Sequence, residues 1–110
     1  MTHGPEYHIK AKVNKALAAL PKMYRFMPVQ RGLGAATLDY LICAGGWFIS
    51  IETKAKGKKL TPRQEQTKAE IEAADGLVFV VDDEESLNYA MERIKCCCIL
   101  ANEIRKSPCP

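Results

Sequence analysis

The N-terminal part of the chain carries apolar residues at helical spacing. Between residues 5 and 20 they recur every three or four positions, which predicts an amphipathic helix with lysines mostly on its other side. Pro5 would occupy the first helical position, and Pro21 would end the helix. The predicted apolar face consists of Ile9, Val13, Ala16, Leu17 and Leu20.

Two further helices are predicted in the second half. Thr61-Pro-Arg-Gln64 has the pattern of a capping box, with proline at the first helical position, so a helix over residues 62–74 is expected to end at the Asp75-Gly76 pair. A second amphipathic run predicts a helix over residues 84–106. Its apolar stripe consists of Leu87, Met91, Ile94, Cys98 and Ala101.

Strand-like runs lie between these helices. Residues 24–27 form a short candidate strand, and two β-rich runs flank Gly45-Gly46, a dipeptide suited to the tight turn of a hairpin. Residues 77–81 are wholly apolar and predict a buried strand covered on both faces by helices. The order α-β-β-β-α-β-α predicts an α/β domain with a mixed sheet flanked by helices. The 110 residues suffice for one small domain, so residues 1–110 are expected to fold together.

The hairpin places charged residues opposite each other. With Gly45-Gly46 as the turn, Asp39 faces Glu52, and Cβ atoms of such partners are about 5 Å apart. Lys54 follows on the same sheet face as Glu52 by the period of two. Because like charges directly opposite each other destabilise a sheet, the two carboxylates predict a cation between them. Mg²⁺ prefers such oxygen ligands.

Positive charge is concentrated in the first 63 residues. Residues 1–31 carry six basic residues against one acid (+5), residues 32–63 five against two (+3), and residues 64–110 five against ten (−5). This distribution favours a polyanionic partner bound near the hairpin. The basic loop after the hairpin and the glycine-containing loop before it are each open to two interpretations, a solvated surface or a phosphate-binding one. Phosphate contact is predicted for Gln30, Arg31, Lys56, Lys58, Lys59 and Arg63.

Several other classes of protein are disfavoured. No apolar run approaches the roughly 20 residues of a membrane span, and the polar N-terminus does not resemble a signal peptide, so a cytoplasmic protein with reduced cysteines is expected. Cys96, Cys97 and Cys98 would point about 100° apart on a helix and are expected to form a buried thiol-lined stripe rather than a metal site. The acids of residues 82–85 are typical of a helix N-terminus. Neither a Walker nor a dinucleotide fingerprint is present, and no organic cofactor is expected.

Four segments together resemble the VRR-NUC branch of the PD-(D/E)xK nuclease superfamily, in particular its short, stand-alone phage and prophage members. They are residues 32–39 (GLGAATLD), 48–55 (FISIETKA), 60–64 (LTPRQ) and 73–81 (AADGLVFVV), and the likeness extends from residue 5 to about residue 90. Leu38 stands where the superfamily name records a proline. A proline there shapes the backbone rather than the chemistry, so activity is expected to survive the difference.

The resemblance implies a restriction-endonuclease-like core, and it implies a role for each residue that matches the family's motif. Asp39 resembles the motif aspartate, Glu52 and Lys54 the E-x-K pair, and Gln64 the glutamine that opens the following helix. The metal ligands implied are Asp39, Glu52, the backbone carbonyl of Thr53 and, from the first helix, Glu6. The metal implied is Mg²⁺, for which Mn²⁺ is expected to substitute.

The activity implied is that of a structure-selective DNA endonuclease that resolves Holliday junctions or other branched DNA. Stand-alone members of this branch resemble junction resolvases that act as dimers, so a homodimer is implied as well, in the host cytoplasm if the chain is phage-encoded. Two alternatives stay open: a less selective nickase or exonuclease, and a non-catalytic DNA-binding module whose acids hold a structural ion.

Overall fold

The structure is a computed structural model that describes residues 4–20, 23–28 and 37–106. In this part of the chain the elements follow the predicted order α-β-β-β-α-β-α. They are α1 (Pro5–Ala18), β1 (Met23–Phe26), β2 (Tyr40–Ala44), β3 (Trp47–Thr53), α2 (Pro62–Ala73), β4 (Leu77–Val81) and α3 (Glu84–Lys106). The described helices do not combine the length and the apolar character that a membrane span needs.

The four strands form one mixed sheet in the order β1-β2-β3-β4. β1 pairs with β2 and β2 with β3 in antiparallel fashion, whereas β3 and β4 run parallel. The parallel pair requires a crossover, and α2 supplies it. The predicted α/β class with a mixed sheet and flanking helices is therefore confirmed.

The hairpin between β2 and β3 has the predicted register. Gly45 and Gly46 have φ angles of 60° and 87°, a left-handed pair that glycine adopts at little cost and that two-residue hairpin turns require. Tyr40 consequently pairs with Ile51, and Ala44 with Trp47. This register brings the start of β2 level with the end of β3, where the predicted acids lie.

The hydrophobic core lies between one sheet face and helices α1 and α3. Apolar side chains from these helices and from three of the strands are buried there together: Val13, Leu17, Tyr40, Ile42, Ile49, Ile51, Val81, Leu87, Met91 and Ile94. The stripe on α3 continues through Cys97, which is buried, while Cys98 is half-buried and Cys96 is exposed. The thiol run is thus only partly buried, and the side chain of Ala101 lies outside the described part.

β4 and the end of α2 differ from the predictions. β4 is an edge strand, so Leu77 to Val80 are half-buried and only Val81 is buried, instead of the whole run being covered on both faces. At the end of α2 the residue with positive φ is Asp75 (66°), not the glycine. Gly76 is needed for space, because a Cβ there would lie 2.6 Å from Cγ2 and 3.0 Å from the carbonyl oxygen of Ile71. The N–H of Gly76 instead donates to that carbonyl at 2.9 Å, as in a Schellman motif.

Candidate metal centre

Three carboxylates from separate segments meet beside the carboxyl end of β3. Glu6 comes from the first turn of α1, Asp39 immediately precedes β2, and Glu52 is the penultimate residue of β3. One oxygen of each lies within 4.8 Å of one oxygen of the others. The predicted meeting of Asp39 with Glu52 is therefore present, and Glu6 lies with them.

Hydrogen bonds fix the Glu52 carboxylate to the backbone of Asp39 and the Asp39 carboxylate to Thr53. The N–H of Asp39 donates to Oε1 of Glu52 at 3.0 Å. In return, Oδ2 of Asp39 accepts from the N–H of Thr53 at 3.0 Å and from the Thr53 hydroxyl at 2.6 Å. That hydroxyl also lies 3.4 Å from Oε1 of Glu6. These contacts hold the carboxylates in place but leave the role of the Thr53 carbonyl a prediction.

Glu52 is the most buried acid of the cluster. It is 3% exposed, and burial, together with the negative charge of Asp39, raises its pKa to about 7. The side-chain amide of Gln64 donates to Oε2 of Glu52 at 3.0 Å. Burial and a neighbouring carboxylate both disfavour the charged form of a carboxyl group unless a positive charge lies beside it. A bound cation would therefore stabilise the charged form of Glu52.

Gln64 reaches this cluster because it also caps α2. Its N–H donates to the Thr61 hydroxyl at 3.2 Å, and its Oε1 accepts from the Thr61 N–H at 2.9 Å, which completes the predicted capping box. The Nε2 atom is left to bind Glu52. The same side chain therefore joins the start of α2 to the acid cluster.

Lys54 lies half-buried just beyond β3. Its positive charge acts on Glu52 by lowering the pKa of that carboxyl, against the larger effects of burial and Asp39. Within the described part of the chain it makes no ion pair shorter than 4.0 Å with Asp39 or Glu52. The amine is thus close enough to be felt electrostatically without being bound to either acid.

A second lysine at the cluster was missed by the sequence analysis. Nζ of Lys10 lies 3.7 Å from Oδ1 of Asp39 and 3.9 Å from Oε1 of Glu6. The available signal was the spacing of four residues between Glu6 and Lys10, which places both on one side of a helix. That spacing could not show that this side of α1 faces Asp39.

The basic loop after β3 is held against the start of α3. Lys56 pairs with Asp83, which raises the pKa of Lys56 and holds that of Asp83 well below its usual range. The N–H of Gly57 donates to Oδ2 of Asp82 at 3.1 Å. Asp83 also accepts from the N–H of Ser86 at 2.7 Å and so caps α3, which begins within the acidic run, as predicted.

The other residues predicted to contact phosphate have different surroundings. Lys58, Lys59 and Arg63 are exposed, whereas Lys56 already has a carboxylate partner. Gln30 and Arg31 lie outside the described residues. Four of the predicted phosphate ligands are therefore exposed in the structure beyond the carboxyl end of β3, and one of them, Lys56, is paired with Asp83.

The donor set of the cluster suits a hard divalent cation. Mg²⁺ takes oxygen ligands at about 2.1 Å in an octahedron, in which donor atoms are about 3 to 4 Å apart. Oxygens within 4.8 Å of one another need only a small side-chain movement to fit this geometry. Each carboxylate group also has lone pairs beyond those used in the hydrogen bonds above, and those of Asp39 are on Oδ1, since Oδ2 already accepts two hydrogen bonds from Thr53. Glu6, Asp39 and Glu52 are therefore the residues that would hold such an ion.

Comparison with protein-family models, with curated proteins and with solved structures gives no match for this chain. The likeness to VRR-NUC nucleases therefore stays a hypothesis based on the residues quoted above.

Proposed function

We propose that the chain is a divalent-cation-dependent DNA endonuclease of the VRR-NUC type that hydrolyses phosphodiester bonds, with a preference for branched DNA such as a Holliday junction. The observation that carries this proposal is the convergence of Glu6, Asp39 and Glu52 from three separate segments. Such a cluster beside an amine and a side-chain amide has the residue types that metal-assisted phosphodiester hydrolysis uses.

Each side chain has a proposed task. Asp39 and Glu52, with Glu6, hold Mg²⁺, which when bound polarises a phosphate and lowers the pKa of a bound water. Lys54, half-buried next to the acids, stabilises negative charge that develops on the phosphate or orients the attacking water. Gln64 keeps the Glu52 carboxylate oriented through its 3.0 Å hydrogen bond.

The exposed cations beyond β3 are proposed to bind the DNA backbone. Lys58, Lys59 and Arg63 lie on the loop that leads from the cluster into α2 and on its first turn. Phosphate contacts of this kind supply affinity rather than base preference, and they weaken as salt is added. Selection of branched DNA is thus proposed to come from the shape of the substrate and not from its sequence.

A homodimer is part of the proposal. A symmetrical cut across a four-way junction breaks two strands, and the described part of one chain provides a single three-carboxylate cluster. Two copies related by a two-fold axis would present two clusters to the two strands. Light scattering of the purified protein, alone and with a junction, measures the number of copies directly.

The proposal is tested by incubating the protein with labelled four-way junction, flap, nicked and linear DNA, with Mg²⁺, with Mn²⁺ and with a chelator. Cleavage that needs the metal and favours the junction is expected. Asp39→Asn and Lys54→Ala are expected to abolish cleavage while DNA binding persists, whereas Glu92→Gln, at an exposed position of α3, is expected to cut normally. DNA binding without any cleaved product under all metal conditions would refute nuclease activity and favour a non-catalytic DNA-binding module. Equal cutting of all substrates would refute the preference for the junction.

A further inference from the structure

We propose that Lys10 is a phosphate ligand of this site: its ammonium rests on Asp39 and Glu6 in the metal-free protein and turns to the substrate phosphate when those carboxylates take up a divalent cation. This inference rests on the function proposed above and adds a residue to it. Four features of the structure carry it: the placement of Lys10, its fixed backbone, the length of its ion pairs and the charge balance of the cluster.

One side of α1 is directed at the site through residues four positions apart. Glu6 lies near the Thr53 hydroxyl at 3.4 Å, and Nζ of Lys10 lies 3.7 Å from Oδ1 of Asp39. Asn14, one turn further, accepts from the Tyr40 hydroxyl at 3.1 Å. α1 therefore supplies an acid and a cation to the cluster from adjacent turns.

The backbone of Lys10 is anchored while its side chain is not. The Tyr40 hydroxyl shares its single proton between Oδ1 of Asn14 and the Lys10 carbonyl, which lies 3.3 Å away, and burial raises the pKa of Tyr40 to about 12, so this hydroxyl keeps its proton. Arg25 adds a second support by donating to the carbonyl and to Oδ1 of Asn14 at 3.0 and 2.9 Å. The Lys10 side chain is 36% exposed, so its amine can change partners without moving the helix.

The ion pairs of Lys10 are long. At 3.7 and 3.9 Å they exceed the 2.7–2.9 Å of a charge-assisted hydrogen bond. On the same helix Lys12 makes a shorter pair with Glu84, at 3.1 Å. Lys10 is thus held by electrostatic attraction to the acids and not by a hydrogen bond. Little free energy is therefore lost when its ammonium moves to another anion.

The charge balance of the cluster favours movement of the Lys10 ammonium from the carboxylates to a phosphate once a cation is bound. In the protein alone, Lys10 offsets part of the negative charge of Glu6 and Asp39. Once those oxygens are shared with a divalent cation, the ammonium also faces a like charge, and its attraction to the carboxylates is weakened. The accessible end of its side chain then favours a new anion on the solvent side, and a DNA phosphate at the metal centre is such an anion.

The test compares Lys10→Met, which keeps the apolar stem, and Lys10→Arg, which keeps the charge, with the matched control Lys12→Met. Mn²⁺ affinity is measured by electron paramagnetic resonance without DNA. Junction affinity is measured over a range of salt with Ca²⁺ in place of Mg²⁺, and cleavage is measured at saturating Mn²⁺.

Lys10→Met is expected to bind Mn²⁺ about two- to fivefold more tightly, because a competing cation has been removed. It is also expected to lose about one unit of the salt-dependence slope for DNA and at least about tenfold in cleavage rate. Lys10→Arg is expected to restore the slope and most of the rate, and Lys12→Met is expected to match the wild type in Mn²⁺ affinity and cleavage.

Unchanged or weaker Mn²⁺ binding by Lys10→Met would overturn the resting position of the amine on the acids. An unchanged salt slope and cleavage rate would overturn its contact with phosphate. These failures differ from failure of the proposed function, in which the wild-type protein itself would bind no Mn²⁺ or release no cleaved DNA.

Discussion

Removing the charge of Glu52 is predicted to change how the stability of the metal-free protein depends on pH. The pKa of Glu52 is raised from 4.5 to about 7, first by burial and then by the charge of Asp39. Between these two pH values the folded protein holds a proton that the unfolded chain has released. Stability is therefore fully present below pH 4.5 and is lost as the pH rises through about 7.

The size of the loss follows from the size of the pKa change. Each pKa unit corresponds to about 1.4 kcal/mol, so full conversion of this change gives about 3 kcal/mol. Glu6 and Lys10 are partly exposed at the open side of the cluster, and water there reduces the penalty. We expect about 1 to 3 kcal/mol, which is a substantial part of the stability of a small domain.

The experiment measures the free energy of unfolding by urea for the wild type and Glu52→Gln from about pH 5 to pH 8, with chelator present. Glutamine keeps the shape of the side chain, so the difference between the two curves isolates the titration of Glu52. The wild type is expected to lose stability relative to Glu52→Gln as the pH rises, until the variant is the more stable protein at pH 8. Glu92→Gln, at an exposed position, is expected to run parallel to the wild type.

Adding Mg²⁺ is expected to reverse this trend in the wild type, because the ion binds the deprotonated cluster and stabilises the folded state by mass action. Glu52→Gln is expected to gain much less. Parallel stability curves of wild type and Glu52→Gln over the whole pH range would refute the reasoning, since they would mean that Glu52 has an ordinary environment.

Two further predictions concern the basic loop and the end of α2. Neutralising Lys58 and Lys59 together is expected to weaken DNA binding and to lower the slope of its salt dependence by about two. Lys56→Ala is expected to have a smaller effect, because Lys56 is paired with Asp83. Filter binding over a salt series measures the affinity and the slope for each variant. Gly76→Ala is expected to destabilise the protein by about 1–3 kcal/mol in urea unfolding, because its Cβ would meet Ile71 at 2.6 Å, while Gly4→Ala, with nothing within 4 Å, is expected to cost far less.

The parts of the fold that local chemistry determines were predictable. Gly45-Gly46 can form a two-residue turn in one register only, and that register brings Asp39 and Glu52 together. The capping box likewise determines where α2 begins and so where Gln64 lies. In both cases the predicted position depends on residues a few places apart in the chain.

The features that were missed depend on contacts between distant segments. The pairing of Lys56 with Asp83 requires knowing that β3 and β4 are parallel neighbours, so that the loops after them meet. The approach of Lys10 to Asp39 likewise requires the packing of α1 on the sheet. An all-apolar run such as β4 does not reveal whether its strand is central or at the edge, which is why its burial was overstated.

The most direct test of the account is anomalous diffraction from a crystal of the protein grown with Mn²⁺. The account predicts a strong anomalous peak coordinated by Asp39 and Glu52, with Glu6 as a nearby ligand directly or through water. A well-ordered cluster with no peak at saturating Mn²⁺, or a peak bound only at Asp82 and Asp83, would contradict it.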